Sequence, residues 1–212
     1  CVDVAESRGA SELMAFATSA IRDAGNTETV LEQVKKTSGV QLEVLPGEDE
    51  SRTTFLAVRR WFGYSAGRII MTDIGGGSLE LAVGTDEEPD VAYSLPLGAG
   101  RLARELSADP PTRSEVKALR KRARSEVAAV LPSLAKAGPP QLATGSSKVI
   151  RSLARACGAA PRGDGIYVPR HLRREDLAEL TPRLARMTAT ERATLPGVSV
   201  DRAPQLLAGA VV

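Results

Sequence analysis

Apolar positions along this chain follow two rhythms. Between residues 112 and 137 they fall at Val116, Leu119, Ala123, Val127, Val130 and Leu134, the spacing of one face of a long helix. Around residue 68 the rhythm becomes short runs rich in Ile, Val and Leu bounded by glycines, which predict strands over 68–73, 79–83 and 91–95. Shorter signals fill the rest. They predict a strand over 12–17, a helix over 27–37 with Thr27 as its N-cap, and a strand over 40–45. A helix follows over 49–62, with Phe55, Leu56, Val58 and Trp61 on its apolar side, then a boundary at Ala66-Gly67. Beyond the Pro110-Pro111 break and the long helix, the pattern predicts a strand over 141–144, a helix over 149–157 and a strand over 166–172. A helix over 175–187, kinked or split by Pro182, and an apolar closing helix over 203–212 complete it. Strands alternating with helices indicate an α/β fold.

One turn in this pattern carries chemistry. The first strand of the central group ends at Asp73, and Gly75-Gly76-Gly77 follow, then Ser78 and Glu80 at the head of the next strand. Glycines permit φ > 0 and let a backbone come close to an anion, so consecutive amides can point at one phosphate. Asp73 is placed to hold a divalent metal or its water, and Ser78 and Glu80, two apart, share a strand face. A hairpin with a glycine bulge is the competing reading of a bare glycine run; the flanking Asp and Ser-x-Glu favour phosphate. Neither G-x-x-x-x-G-K-[ST] nor G-x-G-x-x-G before a helix occurs, which excludes a P-loop and leaves a dinucleotide fold without support. Arg22 can clamp a phosphate bidentately. Its expected place at a helix start, where a cation is disfavoured, argues for function over chance.

The neighbouring segments sharpen the reading. They are Ala17-Thr18-Ser19-Ala20-Ile21-Arg22-Asp23, Leu45-Pro46-Gly47-Glu48-Asp49-Glu50-Ser51-Arg52, Ser94-Leu95-Pro96-Leu97-Gly98-Ala99-Gly100-Arg101, Ala143-Thr144-Gly145-Ser146-Ser147, and Glu191-Arg192 with Pro196-Gly197. In this order, over most of residues 10–212, the chain resembles the exopolyphosphatase / guanosine pentaphosphate phosphohydrolase (Ppx/GppA) family in its actinobacterial form. That family lies within the actin-like ATPase superfamily. The resemblance implies a two-domain, ribonuclease H-like fold, with residues 1–66 the remainder of a first domain truncated at its N-terminus and 67–212 a second domain. The family's opening Asp-x-Gly-Ser-Asn hairpin has no match here. The expectation is therefore that residues 1–212 are part of a longer protein, and that on their own they have little or no phosphatase activity. The family's usual Gly-Gly-Thr third loop is replaced by Gly145-Ser146-Ser147, where Gly145 and the Ser146 amide are the phosphate contacts the resemblance implies.

The resemblance also implies roles. Glu50, which from spacing alone suits helix-dipole complementarity or capping as well as catalysis, matches the family's water-activating carboxylate. Glu80 matches the second carboxylate of the site and a metal ligand beside Asp73, with Mg²⁺ as the cofactor. Arg22, Gly75, Gly76, Gly77 and Ser78 would hold phosphate. The implied activity is release of terminal phosphate from inorganic polyphosphate or conversion of pppGpp to ppGpp. A superfamily kinase and a catalytically impaired polyphosphate- or nucleotide-binding homologue are the alternatives.

Composition changes this picture little. A net charge of +2 gives no field that argues for nucleic acid or membrane, and 3% aromatic content disfavours an open stacking platform. Two cysteines, Cys1 and Cys157, form no motif, and no apolar run approaches a membrane span, so a cytoplasmic protein with reduced thiols is expected. No partner is expected beyond the phosphate substrate, except that a homodimer is left open. Arg113, Lys117, Arg120 and Arg124 share a helical face that reads as solvated rather than as a polyphosphate track. His171 reads as a surface or structural residue, Cys157 as buried and inert, and Thr144 and Ser147 as helix caps.

Overall fold

The computed structural model describes residues 2–212. Helix α1 (Val2–Ser7) leads to strand β1 (Phe16–Ala17), short helix α2 (Ser19–Arg22), helix α3 (Thr27–Ser38) and strand β2 (Glu43–Val44). β1 and β2 pair in parallel as a two-stranded sheet. Helix α4 (Gly47–Phe62) follows, then β3 (Ile69–Ile74), β4 (Leu79–Gly84) and β5 (Val91–Leu95), the short α5 (Ala99–Ala103) and the long α6 (Arg113–Lys136). Strand β6 (Leu142–Gly145) precedes α7 (Lys148–Ala156), α8 (Arg174–Leu184), α9 (Ala189–Arg192) and α10 (Ala203–Val211). The second sheet has the order β5-β4-β3-β6, antiparallel except for the parallel β3–β6 pair.

Both faces of this sheet are covered, which is why β4 is buried along its whole length. Leu79, Leu81 and Val83 point into the larger core with Leu102, Leu119, Leu153 and Leu207 from α5, α6, α7 and α10. Ile69, Met71, Ala82 and Ala92 point to the other face, against Phe55 of α4. α4 thus packs on the four-stranded sheet although it precedes Ala66-Gly67 in the sequence. Its buried line is Ser51, Phe55 and Arg59, spaced by four. Arg59 is 1% exposed and donates to the carbonyls of Gly63, Gly67 and Gly84, which ties the end of α4 to the sheet.

Several expectations are corrected. The strands expected over 12–17 and 40–45 shrink to two residues each. Trp61 is 57% exposed, because the buried direction of α4 follows Ser51, Phe55 and Arg59 and residue 61 lies off it. Thr27 is the first helical residue rather than the cap, and its hydroxyl donates to the carbonyls of Ile21 and Ala24. No strand forms over 166–172. The Arg170 guanidinium gathers the carbonyls of Ala160, Pro161, Gly165 and Val168 and folds the segment on itself. Pro182 sits inside α8 without splitting it. Thr112 and Glu115 form a capping box at the start of α6, and Ser147 caps α7. Thr144 instead donates to the Ile70 carbonyl. His171 and the Arg113, Lys117, Arg120 and Arg124 face are exposed, as expected of solvated groups; Cys157 is only half-buried, and burial raises its thiol pKa.

Candidate active site

The antiparallel register sets Asp73 opposite Glu80, and Glu80 opposite Ser94. Side chains directly opposite one another share a sheet face, and here it is the face that α4 covers. At the next strand, Ser146 follows the end of β6, and its hydroxyl donates to Asp73 Oδ2. A polar row Ser146–Asp73–Glu80–Ser94 therefore crosses one end of an otherwise apolar sheet face. The first turn of α4 lies over it and carries Glu50.

Glu80 is 2% exposed, and Ser94 Oγ donates to its Oε1 at 3.0 Å. Burial pushes its carboxyl up to about 7, helped by the charges of Glu50 and Asp73, while hydrogen bonds from Ser78 and Ser94 pull the other way. The mutual influence shows that Glu50, Glu80 and Asp73 belong to one electrostatic unit. Arg22 Nη1 donates to Glu50 Oε2 at 3.2 Å and to the Leu45 carbonyl at 2.8 Å. Arg22 closes α2 and does not open it, so the helix dipole favours its charge, and the mismatch expected from sequence is absent.

The glycine loop is held from one side by α5. The N–H groups of Ala99 and Arg101 donate to the carbonyls of Gly75 and Gly76. Because a trans peptide sets its C=O and N–H on opposite sides, the N–H groups of Gly76 and Gly77 point away from α5. Among the described residues neither meets a protein acceptor. The Gly75 N–H, in contrast, donates to the Ser78 carbonyl at 2.9 Å and closes the turn, so it drops out of the expected cradle. None of the three glycines has a left-handed φ. Close approach is what requires them. A Cβ on Gly77 would stand 2.6 Å from Ser19 Oγ, and one on Gly98 would stand 2.3 Å from the Gly77 and Ser78 backbone.

The third loop is also corrected. The Ser146 N–H donates to the Thr72 carbonyl and continues the ladder, so its amide is taken, and Ser146 enters the site through its hydroxyl on Asp73. Gly145 is the last residue of β6, paired with Thr72; a Cβ there would lie 2.7 Å from Ile150. A cleft of about 380 Å³ lies beside the loop, with Arg22, Gly47, Gly77, Ser78 and Ser94 in its walls. Ser94 and Gly47 had no role assigned from sequence. Ser94 was detectable as a hydroxyl inside an apolar strand. Gly47 was not, since its need is spatial: a Cβ would stand 2.6 Å from Ser94.

The sequence profile of the Ppx/GppA phosphatase family matches residues 1–212. Exopolyphosphatase 1 of Mycobacterium leprae (strain TN) is 58% identical over 210 residues, which are 99% of this chain and 62% of that protein. Exopolyphosphatase 2 of Mycobacterium tuberculosis (strain ATCC 25618 / H37Rv) is 30% identical over 215 residues, 96% of this chain and 65% of that protein. The chain thus spans 62% of the length of a curated relative it matches. Among solved structures, an exopolyphosphatase-like protein superposes with a TM-score of 0.85 at 28% identity, over 99% of this chain and 68% of that one. The Ppx/GppA phosphatase of Aquifex aeolicus gives 0.71 at 27%, over 99% and 68%. The α/β architecture is therefore the actin-like fold of those structures, and this chain belongs to the Ppx/GppA phosphatase family.

Proposed function

We propose that this protein is a phosphoanhydride hydrolase that releases the terminal phosphate of inorganic polyphosphate. The observation that carries the reading is the polar row Asp73–Glu80–Ser94, with Glu80 buried at its centre, set beside two loop amides without protein acceptors. The names of the relatives, exopolyphosphatases, support the choice of substrate. A polyphosphate end and a pppGpp end present the same group, so pppGpp is a second substrate to test.

In this reading the terminal phosphate oxygens accept from the Gly76 and Gly77 N–H groups and from Arg22, with the Ser78 hydroxyl alongside. Glu50, within reach of Arg22, takes the proton of a water that attacks phosphorus in line, and the bridging oxygen leaves with the shortened chain. Asp73 and Glu80 offer only oxygen donors, and burial, with the charges of Glu50 and Asp73, raises the Glu80 pKa. Mg²⁺ fits such a pair, since it takes one or two carboxylates and completes its shell with waters and substrate phosphate. Among the described residues no three His, Cys, Asp or Glu side chains converge into a closed cage. Bound there, Mg²⁺ would neutralise charge developing on the phosphoryl oxygens. Ser146 would keep Asp73 oriented through its hydroxyl.

We take the protein to act in the cytoplasm; no described helix is long and apolar enough to cross a membrane. The test is phosphate release by the full-length protein from polyphosphate, pppGpp and ATP, with and without Mg²⁺. Glu50→Gln should leave substrate binding nearly intact and lower turnover by roughly 10²-fold, the usual range for a lost general base. A variant that keeps most of its turnover removes Glu50 from the mechanism, and transfer of phosphate from ATP to an acceptor without release would favour a kinase.

A further inference from the structure

A second groove, of about 560 Å³, opens beside α7. Lys148, Arg151 and Arg155 line it from one face of that helix, at spacings of three and four, and Arg162, Arg170 and Arg202 line it from the surrounding loops. Asp201 is the single carboxylate in its walls. Among the described residues none of these six cations makes an ion pair. Several arginines elsewhere find acids: Arg52 meets Glu48 and Glu88, Arg60 meets Glu87, Arg68 meets Asp90, and Arg122 meets Glu105. The unpaired cations of α6 lie along one exposed helix, whereas these six come from a helix and its surrounding loops and line one concave surface.

The topology joins the groove to the candidate active site. β6 runs parallel to β3, so both end at the same edge of the sheet, where Asp73 lies. Ser146 there holds Asp73, Ser147 caps α7, and Lys148 is the first residue of that helix. From Lys148 the basic face runs away to Arg155, about 10 Å at the helical rise. With one carboxylate among six cations, like charges face one another across the groove, and an external anion would relieve that repulsion. Arg170 gives its N–H groups to carbonyls and fixes the loop, while the side chains of Arg151, Arg162 and Lys148 make no hydrogen bond to the described residues. An extended ligand carrying several negative charges along its length matches a track of this kind better than one compact anion.

We propose that this groove holds the body of a linear polyphosphate chain, beyond the end that is cleaved at the glycine loop. The proposal rests on the hydrolase reading above. It assigns Arg151 and Arg162 to chain binding, away from the reacting phosphate. It also gives the basic face of α7, rather than the exposed basic face of α6, the role of holding the chain.

The test compares the full-length protein with an Arg151→Gln/Arg162→Gln variant on long-chain polyphosphate and on tripolyphosphate. Loss of two charged contacts should raise KM for the long chain by about tenfold or more, with kcat unchanged and tripolyphosphate kinetics within about twofold of the parent. An Arg113→Gln/Lys117→Gln variant on α6 should leave both substrates unaffected. Equal losses on long and short substrates, or no loss on either, would overturn the proposal. Binding gives an independent readout. Trp61, the chain's one tryptophan, stacks on Tyr167 with ring centroids 5.9 Å apart, and Tyr167 adjoins Ile166 in the groove wall. Long-chain polyphosphate should change Trp61 fluorescence in the parent, and the groove variant should need more ligand to reach the same change. If the parent releases no phosphate at all, the hydrolase reading fails, and this titration still decides the groove: identical curves for parent and variant would sink it.

Discussion

Glu80→Gln isolates the electrostatics of the buried carboxylate at the centre of the polar row. Glu80 is 2% exposed, and its carboxyl is pushed from 4.5 up to about 7, chiefly by burial. Between those two values the folded protein keeps a proton that the unfolded chain has released. Stability therefore falls as pH rises through this window and levels off above it. At pH 8 the folded protein carries an ionised, buried Glu80 at a cost of about 3 kcal/mol, taking 1.36 kcal/mol per pH unit. At pH 4.5 or below the cost vanishes. Glutamine keeps the shape and can still accept the Ser94 hydroxyl, but it never ionises. Urea denaturation of parent and variant in EDTA should show a gain for Glu80→Gln approaching about 3 kcal/mol at pH 8, and little difference at pH 4.5. For a chain of this size that corresponds to a Tm rise of roughly 5–10 °C. Saturating Mg²⁺ should shrink the gain by compensating the parent's charge. A difference between parent and variant that does not change with pH would show that Glu80 titrates as an ordinary carboxylate and would refute the argument.

Other expectations follow from single contacts. Asp73→Asn should raise the Mg²⁺ concentration needed for phosphate release, and full release by the parent in EDTA would rule out the metal pair. Gly98→Ala places a methyl 2.3 Å from the Gly77 and Ser78 backbone and should destabilise by about 1–3 kcal/mol in a chemical melt. Gly76→Ala meets open space and should leave the melt within about 0.5 kcal/mol, so equal effects would contradict the packing described. Arg59→Met removes a buried cation and the partner of three carbonyls; a loss of about 2–4 kcal/mol is expected, and a neutral variant would show that the carbonyls find other donors.

The central hairpin was legible because its signals are local. Short apolar runs and a glycine turn placed β3 and β4 within a residue or so and put Asp73 and Glu80 on either side of the turn; the register then set them opposite one another. The long stripe of α6 was likewise legible, since a helical period repeated over many residues has few competing explanations. Trp61 and the segment 166–172 were misread for the same reason as each other. Hydropathy counts Trp as apolar and Arg as polar, yet Arg59 is buried because three carbonyls converge on it, and Arg170 reels in a loop that pattern alone would extend.

By itself the sequence determined the α/β alternation, the family, and the residue types around a phosphate: a glycine loop, carboxylates and an arginine. It could not say which backbone groups remain free. Gly75 and Ser146 carry amides in any conformation, but in the fold both are taken, one by Ser78 and the other by Thr72. Gly76 and Gly77 are left open because α5, from a later part of the chain, holds the loop by its carbonyls. The basic groove is of the same kind: Lys148, Arg162 and Arg202 are scattered in sequence and meet only when α7 and its loops pack. Hydrogen-bond occupancy and charge density are properties of neighbours in space, and those are fixed by the tertiary structure alone.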